Sequence, residues 1–218
     1  MNAYELLKHV DHTELMPTAT LADIRQLCDD AVHYSTASIC IPPAYVKEAV
    51  AYLDGKLPVC TVIGFPHGYN TTAIKAAEAA EAIANGAEEV DMVINIGWAK
   101  DGRFEEITEE IRAVNKAAGD HILKVIIETG YLTDNEKLAL CKCVTDGGAD
   151  FIKTCTGFGP GKATVEDIDL FRRNIGANVR MKASSGMTTL EDGQVFLDMG
   201  CERLGSKLLV GVAKKAGL

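Results

Sequence analysis

The chain has 218 residues, of which 47% are hydrophobic and 24% charged, and its formal net charge is −9. That length holds one substantial core, and the composition is ordinary for a globular protein that stays in water. The negative balance disfavours DNA, RNA and anionic lipid as partners, and no run of 18 apolar residues marks a membrane span.

The first residues, MNAYELLKHVDHTEL, show no basic stretch followed by an apolar one. No secretory leader is read there, and a cytoplasmic location is the expectation. Strand-like and helix-like segments then alternate. Residues 9–13 read as a first strand. Thr20-x-x-Asp23 is a capping box for a helix with Ile24, Leu27, Cys28 and Ala31 on one face. Residues 38–41 read as a second strand, stopped by Pro42-Pro43, and 43–53 as a helix. Residues 57–63 are β-like and run into the loop GFPHG. Asn70 or Thr71 caps an alanine-rich helix that ends at Asn85-Gly86.

Residues 89–94 form the next predicted strand, and Phe104, Ile107, Ile111 and Val114 mark an amphipathic helix. Residues 121–127 are an apolar, β-branched strand. Thr133-x-x-Glu136 opens a helix bearing Leu138, Cys141 and Val144, which Gly147-Gly148 ends. Strands are predicted at 151–153, 179–183 and 203–205. Helices follow them, starting at Thr164, at a Thr188-x-x-Glu191 box, and at Leu208. Eight strands, each followed by a helix, with no Pro/Ser-rich linker, predict a single α/β domain over residues 1–218. A closed (β/α)8 TIM barrel suits the pattern better than an open doubly wound sheet, which leaves two edges to protect.

The seven cysteines (28, 40, 60, 141, 143, 155 and 201) contain no CxxC pair and are odd in number. A disulfide framework is not expected, and most read as small buried hydrophobes. Cys141-Lys142-Cys143 lies inside a predicted helix, which disfavours a redox pair.

In such a barrel the active site lies at the C-terminal strand ends. Standing there are Asp11-His12-Thr13, Ser38 and Cys40, Asp91, Lys153, Lys182 and Gly205-Ser206. By alternation Asp91, Val93 and Asn95 share one face, directed inward. A single lysine at a strand exit reads most simply as solvated. Lys153 and Lys182 on neighbouring strands, with Asp91 also inward, cannot all reach water. An amine nucleophile must lose its proton, and burial or a like charge nearby favours that loss. The free amine can attack a carbonyl and form a Schiff base, which stabilises a neighbouring carbanion as an enamine. A carboxylate in reach can move protons. These are the requirements of a metal-free aldolase. Lys124 sits early in its strand and is expected away from the chemistry.

His9, Asp11 and His12 are near in sequence, but alternation separates the two histidines, and nothing resembles a His-x-His or HExxH ligand set. No metal and no cofactor are expected. Gly157, Gly186 and Gly205-Ser206 would expose backbone N–H groups suited to a phosphate, although tight turns alone also explain glycines there.

Asp11-His12-Thr13, TVIGFPHG, EVDMVINIG, FIKTCTGFG, MKASSGM and RLGSK together resemble the deoxyribose-phosphate aldolase family, in order, from about residue 5 to about 215. The resemblance implies a class I aldolase on a TIM barrel. Such an enzyme reversibly cleaves 2-deoxy-D-ribose 5-phosphate to D-glyceraldehyde 3-phosphate and acetaldehyde. By motif position Lys153 would carry the Schiff base, Lys182 would be its charged neighbour, and Asp91 would take part in proton transfer. Asp11 would hold Lys182, Thr156 would contact substrate hydroxyls, and Cys40 would lie against the substrate. Gly157, Gly186, Gly205 and Ser206 would surround the phosphate.

Three departures bear on phosphate affinity and turnover. Ser185 stands where the family has glycine. Lys207 stands where a small hydroxyl residue is common, and is expected either to add charge to the phosphate site or to point to solvent. The sequence ends KKAGL, without the terminal tyrosine that many members use in proton transfer, so water or another group is expected to serve. Two other readings compete: a phosphate-binding barrel isomerase with Asp91 as base, and a non-catalytic barrel with a binding role. A small phosphosugar is the expected partner. The oligomeric state is not set by the sequence, a homodimer being one option.

Overall fold

In a computed structural model describing residues 1–218, eight short strands pair in parallel and in chain order. They are β1 (Val10–Thr13), β2 (Ser38–Ile41), β3 (Val59–Ile63), β4 (Glu89–Val93), β5 (Ile122–Ile126), β6 (Phe151–Lys153), β7 (Arg180–Ser184) and β8 (Arg203–Ser206). β8 pairs with β1, so the sheet is a closed barrel without edges.

The side-chain period of two explains the two layers. Val90 and Met92 of β4, Leu123 and Val125 of β5, Ile152 of β6, and Met181 and Ala183 of β7 face outward into the main hydrophobic core. The residues between them turn inward, and these are polar: Glu89, Asp91, Lys124, Lys153 and Lys182 are all buried. The core therefore lies between strands and helices, and the barrel's own interior is charged.

The outer layer comprises α1 (Ala3–Leu7), α2 (Leu21–His33), α3 (Val46–Leu53), α4 (Thr72–Ala84), α5 (Ile96–Lys100), α6 (Phe104–Ala118), α7 (Asp134–Asp146), α8 (Val165–Asn174), α9 (Leu190–Asp198) and α10 (Leu209–Lys215). The capping boxes expected at Thr20/Asp23 and Thr133/Glu136 form. The third falls one residue later than expected. Thr189 caps α9 with Asp192, whose Oδ2 also accepts from Thr188 N–H and Oγ1. Thr71 occupies the N-cap of α4 without a side-chain bond, and Asn70 instead donates to Glu78. Pro42-Pro43 delays α3 by a 3-10 turn over Pro43–Tyr45. α1 and α5, capped by Asn2 and Asn95, are extra to the eightfold pattern.

One buried ion pair pins the mouth of β4. Lys75 of α4 donates to Val93 O and to Glu110 of α6, each at 2.8 Å.

Candidate active site at the C-terminal mouth

Strand register assembles the site. Lys153 of β6 and Lys182 of β7 are directly paired residues, so their side chains leave the sheet on the same side. Asp91 of β4 is paired in the same way with Lys124 of β5. Asp11 of β1 pairs with Ser38 and with Gly205. That glycine is needed for space: a Cβ there would lie 2.8 Å from Ser184 Cβ and 3.1 Å from Lys182 Cε. Lys182 reaches Asp11 because β8 offers no side chain at that point.

Asp91 is the hub. Its Oδ2 accepts from Lys153 Nζ and Lys182 Nζ, each at 2.7 Å, and its Oδ1 from Lys124 Nζ at 2.9 Å and Cys60 Sγ at 3.1 Å. Asp11 Oδ2 accepts from Lys182, and its Oδ1 from Ser38 Oγ at 2.8 Å and Arg203 Nη1 at 2.5 Å. Glu89 completes the lower layer, 2.5 Å from Lys124 Nζ and doubly bonded to Arg203.

Burial alone would raise the pKa of both aspartates. For Asp91 the charges of Lys124, Lys153 and Lys182 outweigh it and hold the carboxyl well below the usual range. Lys182, Lys124 and Arg203 do the same for Asp11. Burial pulls Lys182 down, but Asp11 and Asp91 outweigh it and push it above the ordinary lysine range. Lys124 is raised well above that range for the same reason, with Asp91 its strongest partner. Lys182 and Lys124 are thus firmly protonated, and Asp11 and Asp91 firmly ionised.

This corrects the expectation for Lys124. It belongs to the charged network and touches Asp91, because its long stem carries the nitrogen up from its place in the strand.

A cavity of about 510 Å³ opens above the network. Lys153, Thr156, Gly157, Gly186, Gly205 and Ser206 all line it, while Lys182, Asp91, Asp11 and Cys40 lie buried beneath. Cys40 is paired with Cys60 on the next strand. These two thiols and Asp91 bring their donor atoms within 4.8 Å of one another. A metal ion there would have to displace ammonium groups from Asp91, so the charge pattern disfavours it.

Ser185 has φ +73°, the left-handed conformation that favours glycine, which accounts for the glycine expected at that position. Lys207 meets both expectations in part: it lines the cavity beside Gly186, Gly205 and Ser206, and its side chain is half exposed. Its Nζ is 2.6 Å from Glu14 Oε2 at the cavity rim. A buried carboxylate not foreseen from sequence, Glu128, follows β5 and accepts from the N–H and hydroxyl of Thr156.

A parallel barrel with a charged interior and a lysine at the floor of its C-terminal cavity places the chain among the (β/α)8 enzymes. The profile of the DeoC/LacD family aldolases matches residues 6–207, and the chain belongs to that family. It is 54% identical to the deoxyribose-phosphate aldolase of Clostridium botulinum strain Eklund 17B over 214 residues, 98% of this chain and 97% of that one. It is 53% identical to the deoxyribose-phosphate aldolase of Clostridioides difficile strain 630, over 96% of this chain and 95% of that one. Among solved structures, a tetrameric deoxyribose phosphate aldolase from Aeropyrum pernix superposes with a TM-score of 0.91 at 25% identity, over 99% of this chain and 92% of that one.

Proposed function

We propose that the chain is a class I aldolase. It cleaves 2-deoxy-D-ribose 5-phosphate reversibly to D-glyceraldehyde 3-phosphate and acetaldehyde, through an imine on Lys153. The observation that carries this reading is the charge balance of the barrel interior. Lys124, Lys153, Lys182 and Arg203 face Asp11, Glu89 and Asp91, four cations against three carboxylates. Unbalanced buried charge is costly, so loss of one proton is favoured. Arg203 does not deprotonate. Lys182 is bonded to two carboxylates and Lys124 to Glu89 and Asp91. Lys153 has one carboxylate partner, shares it with Lys182, and opens on the cavity. It is the amine placed to meet a carbonyl.

The chemistry then balances as follows. Lys153 Nζ adds to the C1 aldehyde of the open-chain sugar, and the carbonyl oxygen leaves as water. The iminium takes up the electron pair of the C2–C3 bond as that bond breaks. The C3 hydroxyl loses its proton and becomes the aldehyde of glyceraldehyde 3-phosphate. The enamine is protonated at C2, and water hydrolyses the imine to acetaldehyde and the free amine.

Asp91 touches both Lys153 and Lys182 and relays protons, directly or through water. It becomes a better base once Lys153 has lost the charge that helps keep it ionised. Lys182, held by Asp11, is the lasting cation beside the amine. Thr156 meets substrate hydroxyls, Cys40 flanks the substrate from below, and Gly157, Gly186, Gly205 and Ser206 surround the phosphate at the outer end. An isomerase with Asp91 as its base is disfavoured, because it leaves the amine of Lys153, open to the cavity, without a role.

No helix is long and apolar enough to cross a membrane, and all seven cysteines are free and buried. These features support a cytoplasmic setting. A homodimer is the assembly to test, by light scattering.

The deciding experiment is acetaldehyde release from 2-deoxy-D-ribose 5-phosphate in an alcohol dehydrogenase-coupled assay, with and without EDTA. Release that persists in the chelator is expected. No acetaldehyde, or activity lost to EDTA, overturns the proposal.

A further inference from the structure

Glu128 is a buried carboxylate that imine chemistry does not use. It adopts a left-handed backbone, φ 55° and ψ 66°, which is unfavourable for any residue with a Cβ. The residue is 1% exposed, and its Oε1 is buried without a hydrogen-bond partner. Its Oε2 accepts twice from one residue, from Thr156 N–H at 3.0 Å and from the Thr156 hydroxyl in a closer contact. The loop after β6 is shaped around this carboxylate: a Cβ on Gly159 would lie 2.9 Å from Glu128 Cδ. Backbone conformation, burial and an unbonded oxygen all weigh against a glutamate here, and such outliers concentrate at functional sites.

Thr156 is the residue through which Glu128 acts. It lines the cavity together with Lys153. A threonine hydroxyl has one proton and two acceptor lone pairs. Glu128 takes the proton, and Phe158 N–H, 3.0 Å away, takes one lone pair. What remains for a bound molecule is one acceptor site and no donor.

We propose that Glu128 is a positioning residue that sets acceptor specificity. By holding the Thr156 proton it makes that hydroxyl receive a hydrogen bond from the substrate, so the site selects aldehydes with a hydroxyl beside the carbonyl over those without one. The inference rests on the aldolase reading above and deepens it. An aldehyde bearing a bare methylene at that carbon leaves the Thr156 acceptor without its substrate partner, which is how hydrogen-bonding sites reject analogues lacking the group.

The test measures kcat/KM for condensation of acetaldehyde with D-glyceraldehyde 3-phosphate and with 3-phosphopropanal, which has the same length and phosphate but no hydroxyl. The unaltered enzyme is expected to prefer the hydroxylated acceptor. Glu128→Ala is expected to lower that preference by up to about tenfold, the effect of one net hydrogen bond between substrate and a neutral hydroxyl. Glu128→Gln keeps the shape and one oxygen for Thr156 but is a weaker acceptor, and is expected to lower it about threefold. It decides the matter alone if the alanine variant fails to fold. Borohydride trapping of acetaldehyde on Lys153 is read in parallel. Trapping retained with an unmoved preference, or both acceptors falling together, overturns the role of Glu128 alone. No trapping in the unaltered enzyme overturns the aldolase reading and this inference with it.

Discussion

Replacing Lys182 by methionine removes one cation from the barrel and keeps most of its bulk. The interior then holds Lys124, Lys153 and Arg203 against Asp11, Glu89 and Asp91, and the surplus of positive charge is gone. The size of the effect follows from geometry. Lys153 Nζ and Lys182 Nζ each lie 2.7 Å from the same oxygen of Asp91, so they are no further apart than twice that distance. At an effective dielectric of about 20, two unit charges about 5 Å apart repel by roughly 3 kcal/mol. That corresponds to about two pH units. The ascending limb of kcat/KM against pH is therefore expected to move up by about two units in Lys182→Met, measured in the coupled acetaldehyde assay. Breaking a buried ion pair ordinarily costs about 3–5 kcal/mol of stability. Here Asp11 keeps Arg203, and Asp91 keeps Lys124 and Lys153, so the variant is expected to fold, which circular dichroism checks. A limb that stays in place, or moves to lower pH, would refute the charge-balance reasoning.

Lys153→Ala also leaves the interior balanced, so it is expected to fold while turnover drops by about a thousandfold or more, since the covalent route disappears; the coupled assay measures this. Lys207→Ser is expected to raise KM for the phosphorylated sugar about threefold with little change in kcat or in activity on unphosphorylated 2-deoxyribose. Its exposed pairing with Glu14 is weak enough to exchange for a phosphate. Burial pushes His12 down to about 4, against the facing charge of Asp30 and with that of Lys214. An unfolded histidine takes up its proton first as pH falls. The stability His12 contributes is therefore complete above pH 6.5 or so and lost towards pH 4, by at most roughly 3 kcal/mol. Urea unfolding at pH 7 and pH 5 checks this: the parent is expected to lose more stability than His12→Leu between the two.

The barrel was legible because parallel strands write their burial into the chain. An apolar outward set alternates with an inward set, and helix caps punctuate the rest. Asp91 between Val90 and Met92 is such an inward interruption, and so is Lys124 between Leu123 and Val125. The expectation for Lys124 fails because position along its own strand says nothing of stagger between strands. Register pairs it with Asp91, and its stem spans the remaining height. Glu128 is not legible in the sequence because a polar residue just past a strand reads as a solvated loop. Only the folded loop after β6 shows that Gly159 covers it. α1 and α5 are five residues each, too short for a helical period to register. The slip from Thr188 to Thr189 reflects two adjacent threonines that both give backbone N–H groups to Asp192, of which only Thr189 accepts in return from Asp192 N–H.

The most direct measurement is borohydride reduction in the presence of acetaldehyde, followed by peptide mass spectrometry. If Lys153 is the one amine of the barrel free to react, an ethyl group appears on its peptide, and the peptides of Lys124 and Lys182 stay unmodified. An adduct on Lys182 or Lys124, or none at all, would contradict it.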